Sequence, residues 1–205
     1  MKIIFLDIDG VLNCEKGYKD GFCKYIGWTN KNGKEDHHQS FYPPAKILLN
    51  KLIEETNAKI VISSSWRHSG LEYMRGVWEQ EGMSGEIIDI TPSIRYTTTT
   101  DNMQYSSPRG CEIDCWLENI GKFGHINWSK ETQLKYMESS GISNYIIIDD
   151  DGDMLYHQRH HFIHVLPSPR NKEGFNDFYY NIALEKLSKT VIDLNYVGDD
   201  QDECN

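Results

Sequence analysis

The stretch Lys2-Ile3-Ile4-Phe5-Leu6-Asp7-Ile8-Asp9-Gly10-Val11-Leu12-Asn13 decides how the chain reads. Its first half is an unbroken apolar run, the pattern of a strand buried on both faces of a parallel sheet. Two aspartates follow one residue apart, and then a glycine. Ligands of open α/β sheets bind beyond the carboxyl ends of the strands, where this pair falls. Asp7 and Asp9 share strand parity, and a bend at Gly10 is expected to bring both into one crevice. Carboxylates that close repel each other. A hard divalent cation such as Mg²⁺ offsets the repulsion.

Outward from this stretch, two more apolar runs end in polar tips. Lys59-Ile60-Val61-Ile62 leads into Ser63-Ser64-Ser65-Trp66-Arg67, and Asn144-Tyr145-Ile146-Ile147-Ile148 into Asp149-Asp150-Asp151-Gly152-Asp153. Ser63 is a neutral donor that can hold a phosphoryl oxygen without adding a charge that competes with a cation. Read alone, the serines equally suit a turn capping a helix that begins near Ser69. Asp151 and Asp153 read as turn-formers. An EF-hand loop is excluded, because the glycine stands too early in the loop and no glutamate fills the twelfth place.

Between those tips, Arg109-Gly110-Cys111-Glu112-Ile113-Asp114-Cys115-Trp116-Leu117 opens a helix whose Ile113, Trp116, Leu117 and Ile120 fall at core spacing. An arginine in a first helical turn opposes the helix dipole unless an anion lies nearby, as at a phosphate site. Its planar fork can take two phosphoryl oxygens. Lys130, in Ser129-Lys130-Glu131-Thr132, competes for the role and also reads as an exposed residue just after an N-cap.

In this order the elements resemble the four motifs of the haloacid dehalogenase (HAD) superfamily of phosphotransferases. A basic residue followed by Glu-Ile-x-x-Trp is similar to the third-motif region of polynucleotide 3′-phosphatase-type members. The Ser-Ser-Trp-Arg, Arg-Gly-x-Glu-Ile and Asp-Asp-Asp elements resemble the branch associated with RNA repair. The matches run from Asp7 to Asp150. The resemblance implies an α/β protein with a three-layer α/β/α Rossmann-like HAD fold, a mostly parallel sheet and small flap or cap insertions. It also implies roles. Asp7 is the nucleophile that forms an aspartyl-phosphate, and Asp9 the general acid and base. Mg²⁺ is held by Asp7, the backbone carbonyl of Asp9, and one or both of Asp149 and Asp150. Ser63 and Arg109 hold the phosphoryl oxygens as catalytic groups, and Ser64, Arg67 and Lys130 bind substrate.

The remaining segments fill in around these motifs. Residues 14–42 are polar, glycine-rich and aromatic, too long for a plain connection, and are expected to form a flap over the site. His37-His38 reads as a solvated pair. Pro43 starts a helix to about 57, with Leu48, Leu49, Leu52 and Ile53 on one side. Residues 70–108 read as a second insertion. It holds a helical pattern (Leu71, Met74, Val77, Trp78), a short strand at 86–90 and an extended threonine run at 97–100. A strand at 162–166 and a helix at 174–189 close the domain. His157, His160, His161 and His164 read as surface or core residues. The expected organisation is one domain over 1–190 and an acidic, flexible tail over 191–205.

The net charge of −10 and pI near 5.2 argue against a broad duplex-binding surface. A pocket for one nucleic-acid end or a phosphorylated small molecule remains compatible with them. No apolar run approaches the roughly 20 residues of a membrane span. The first strand leaves no room for a leader, and five cysteines without a CxxC pair suit a reducing, cytoplasmic setting. Three functions stay open. They are a phosphatase of nucleic-acid 3′-ends, a phosphatase of nucleotides or other small metabolites, and a binding module without turnover.

Overall fold

In chain order the elements are β1 (Lys2–Leu6), α1 (Glu15–Lys19), β2 (Tyr25–Thr29), β3 (Glu35–Gln39), α2 (Pro43–Thr56), β4 (Lys59–Ile62), α3 (Leu71–Gln80) and β5 (Ile87–Ile90). They continue with β6 (Arg95–Thr97), β7 (Gln104–Ser106), α4 (Arg109–Asn119), β8 (Asn144–Asp149), β9 (Phe162–His164) and α5 (Asp177–Ser188). These come from a computed structural model that describes residues 1–100, 103–119 and 141–189. Lys130 and the tail at 191–205 lie outside the described residues.

The apolar runs form one five-stranded sheet in the order β5-β4-β1-β8-β9, every neighbouring pair parallel. Strand parity sorts its side chains. Ile4, Leu6, Ile60, Ile62, Ile146 and Ile148 face a core built with Leu49, Leu52, Met74, Val77, Ala183 and Leu187 from α2, α3 and α5. Ile3, Phe5, Val61, Tyr145 and Ile147 face the other way, onto Ile113 and Trp116 of α4. This is a three-layer α/β/α arrangement. Because β1 is covered on both faces, its residues are apolar without alternation.

Helix α2 runs as expected from Pro43 and ends at Asn57, whose left-handed conformation (φ 52°) terminates it. The first residues of α5 are capped by Asn176, whose side chain accepts from the Phe178 amide.

Residues 70–108 differ from the expectation of a single insertion. Helix α3 buries Met74, Val77 and Trp78, and β5 is an edge strand of the central sheet beside β4. Only the β6–β7 hairpin stands apart, with Tyr96 and Tyr105 stacked across it at 5.7 Å. The reason is a βαβ crossover. A strand followed by an amphipathic helix returns to the sheet as a parallel neighbour and so joins the core.

Residues 14–42 are ordered as α1 and the antiparallel β2–β3 hairpin, which turns at Asn30–Gly33. Several contacts tie the hairpin to the domain, among them a bond from Tyr73 Oη to the His37 carbonyl at 2.7 Å. Trp28 lies on Gly76 of α3, where an added Cβ would stand 2.0 Å from its ring. His38, expected in solvent, is buried instead, its Nε2 3.1 Å from Glu81 Oε1. Glu81 also accepts from Lys46 Nζ at 3.1 Å, so burying the carboxylate is matched by partners. His37 remains exposed.

Alanine at Gly76 improves helix propensity by about 1 kcal/mol but forces the Trp28 ring off its seat. We expect the clash to win, at about 1–3 kcal/mol for overpacking. Gly76→Ala should lower the thermal midpoint and speed tryptic cleavage after Lys31 and Lys34; unchanged cleavage would remove Trp28 as the hairpin's anchor.

Candidate active site

The register of the sheet assembles the site. Leu6 pairs with Ile62 on one side and Ile148 on the other, so the next residues, Asp7, Ser63 and Asp149, emerge side by side from three adjacent strands. Two further amide bonds continue the ladder one step: Asp7 N–H donates to Ile148 O at 2.9 Å, and Ser63 N–H to Leu6 O at 2.8 Å. After β1 the chain doubles back through Gly10 (φ 72°), with Gly10 N–H to Asn13 O at 2.7 Å and Leu12 N–H to Ile8 O at 2.8 Å. Glycine is required there twice over. The positive φ disfavours other residues, and a Cβ would lie 2.1 Å from the Asp150 carboxylate.

Asp7, Asp149 and Asp150 converge, each offering a carboxylate oxygen within 4.8 Å of the others. Asp7 and Asp149 are buried and Asp150 half-buried. Burial pushes all three carboxyls above their ordinary range, and the charge of Asp7 adds to the rise at Asp149. A bond from the Ser64 side chain and the charge of Arg109 pull Asp7 part of the way back. Asp149 Oδ2 has no hydrogen-bond partner among the described residues. Three like-charged oxygens with a buried unpartnered atom between strand tips fit a hard cation, which is how proteins hold such a cluster ionised.

Asp9 does not join this cluster. Its side chain is exposed and turns aside, where Oδ2 accepts the indole N–H of Trp66 at 3.0 Å. The shared parity of Asp7 and Asp9 therefore does not bring their carboxylates together. The turn at Gly10 ends the strand before alternation applies.

After β4 the chain forms a short 3₁₀ turn, Ser65–Ser69, capped by Ser64, whose Oγ accepts the Trp66 amide at 3.4 Å. Ser63 is fully buried, and its hydroxyl has no partner among the described residues. A buried donor left unmatched is costly, and a phosphoryl oxygen would match it. Ser64 and Arg67, expected to bind substrate, face inward instead. Ser64 is fully buried and bonds Asp7 and the turn. Arg67 is 7% exposed, its guanidinium donating to Glu112 Oε2 and, at 2.7 Å, to the Ser64 carbonyl.

Arg109 opens α4 beside the cluster, with Nε 3.8 Å from Asp149 Oδ2 and Nη1 donating to the Ser63 carbonyl. The dipole conflict noted in the sequence is met by carboxylates. Asp149 faces the guanidinium, and Asp153 Oδ2 accepts the Arg109 amide at 2.8 Å as the helix cap. Asp151 turns the loop through its amide, which donates to Asp149 Oδ1 at 2.9 Å. In the sequence Asp153 reads as a turn-former, and Trp66 and Glu112 stand within the quoted motifs with no role of their own. A tryptophan in a turn and an acidic residue in a first helical turn are ordinary there, and only the assembled contacts give them roles.

No helix among the described residues is long and apolar enough to cross a membrane. The family model describing the HAD domain in Swiss Army Knife RNA repair proteins matches residues 3–176. No curated protein and no solved structure matches the chain.

Proposed function

Because the chain belongs to the family of HAD domains in Swiss Army Knife RNA repair proteins and is a HAD-type phosphatase, we propose that it hydrolyses the terminal 3′-phosphate of a nucleic-acid strand with Mg²⁺ as cofactor. The observation that carries this reading is the convergence of Asp7, Asp149 and Asp150 beside Ser63 and Arg109 at aligned strand ends.

Phosphoryl transfer needs positioning and charge neutralisation more than covalent ingenuity. Asp7 attacks phosphorus, forming an aspartyl-phosphate as the bond to the leaving oxygen breaks. Asp9 gives that oxygen a proton and later takes one from the water that hydrolyses the intermediate. Ser63 donates its hydroxyl to an equatorial oxygen, and Arg109 offers its guanidinium to another. Asp7, Asp149, Asp150 and the Asp9 backbone carbonyl would hold Mg²⁺, which shields the carboxylate from the phosphate and stabilises transition-state charge. The RNA-repair family and the aromatic hairpin favour a nucleic-acid end. Tyr25 is 78% exposed on β2 and can stack a base.

The test is phosphate release from a 3′-phosphorylated oligonucleotide, a 5′-phosphorylated one, mononucleotides and an aryl phosphate, with and without Mg²⁺. Preference for the 3′-end, lost on chelation, is expected. Preference for mononucleotides would replace the reading with metabolite clearance, and silence across the set would overturn it.

A further inference from the structure

Of the contacts at the site, the one between Trp66 and Asp9 is unlike the rest. Asp9 is exposed on a loop, and such a side chain ordinarily samples several rotamers. Here its Oδ2 is held at 3.0 Å by the indole N–H. The ring itself is held firmly. The Trp66 backbone amide is capped by Ser64, the ring centroid lies 6.1 Å from that of the buried Phe41, and the side chain packs against the apolar core. The next residue, Arg67, is locked to Glu112. Indole suits the task chemically. It donates one hydrogen bond, accepts none and adds no charge, so it fixes a carboxyl group without competing for its proton.

We propose that Trp66 is a positioning residue that holds the Asp9 carboxyl group at the leaving-group oxygen, occupying Oδ2 and leaving Oδ1 to exchange the proton. The proposal rests on the phosphatase reading. Misplacing a catalytic group by about 1 Å can cost about 100-fold. Loss in forming the aspartyl-phosphate, which kcat/KM reports, should fall only on substrates whose leaving group needs the proton. The later hydrolysis of the intermediate is common to all substrates.

The experiment compares Trp66→Phe, which keeps an aromatic ring against Phe41 but has no N–H, with wild type on two substrates. With a 3′-phosphorylated oligonucleotide, whose alkoxide leaves poorly, kcat/KM should fall about 10- to 100-fold. With 4-nitrophenyl phosphate, whose leaving group departs unprotonated, it should fall less than about threefold. In an Asp9→Asn background the substitution should cost nothing further, because the two residues act as one unit. Equal losses on both substrates, or a full additional loss in that background, would overturn the proposal.

A second measurement is independent of turnover and of how Trp66→Phe folds. The indole ¹H–¹⁵N resonance of Trp66 should move in Asp9→Asn. If it does not, the contact itself is refuted whatever the activity. If it moves while wild type hydrolyses nothing, the phosphatase reading fails, and the catalytic use of an existing contact fails with it.

Discussion

Asp7→Asn should abolish turnover, by at least about four orders of magnitude, in a protein that folds as well as wild type. Asparagine matches aspartate in shape but supplies no carboxylate to attack phosphorus. The fold should tolerate the change because Asp7 is buried beside Asp149 and Asp150, where its charge opposes theirs. Burial raises the carboxyl groups of Asp7 and Asp149, so each binds its proton more tightly folded than unfolded. The sign follows from that. Without a divalent cation, the stability these groups contribute is complete at pH values below the ordinary carboxylate range. It is lost as pH rises toward neutrality and they ionise against one another. Adding Mg²⁺ at neutral pH should restore the thermal midpoint, and Asp7→Asn should flatten its fall with pH. Phosphate release by Asp7→Asn at the wild-type rate would remove Asp7 as nucleophile; a midpoint indifferent to pH and Mg²⁺ would remove the cluster as a cation site.

The second large effect is on stability and falls on the pair beneath the site. Glu112 is 2% exposed, and its carboxylate joins the Arg67 guanidinium to the Ile94 amide, the latter at 3.0 Å. This pair ties the turn after β4 to α4 and to the start of the β6–β7 hairpin. Removing one member leaves the other buried and uncompensated, which costs about 3–5 kcal/mol. Replacing both by apolar residues of similar volume is often nearly neutral. Arg67→Met and Glu112→Leu should therefore each lower the unfolding free energy in urea by about 3–5 kcal/mol, and the double variant should recover most of it. A single variant that loses less than about 1 kcal/mol, with KM raised, would return Arg67 to direct substrate binding.

Much of this protein was legible in its residues, for a physical reason. A strand covered on both faces has to be apolar throughout. The runs at Lys2–Leu6, Lys59–Ile62 and Asn144–Asp149 therefore announce themselves, and so does the polar residue at which each stops. In a parallel sheet those stops align, which is why Asp7, Ser63 and Asp149 could be grouped before any coordinates. The same logic marked α2 by its prolines and Arg109 by its quarrel with a helix dipole.

The tertiary structure alone decided what depends on a partner distant in sequence. The β2–β3 hairpin exists against Gly76 and Glu81, which nothing between residues 14 and 42 reveals. Helix α3 and β5 looked like part of an insertion until the crossover returned them to the sheet. That Arg67 is paired with Glu112, and that the Trp66 indole meets Asp9, could be seen only in the folded chain. Periodicity and strand-tip chemistry are local and survive in one dimension. The partner of a buried charge, or the donor that steadies a carboxyl group, is chosen by packing in three.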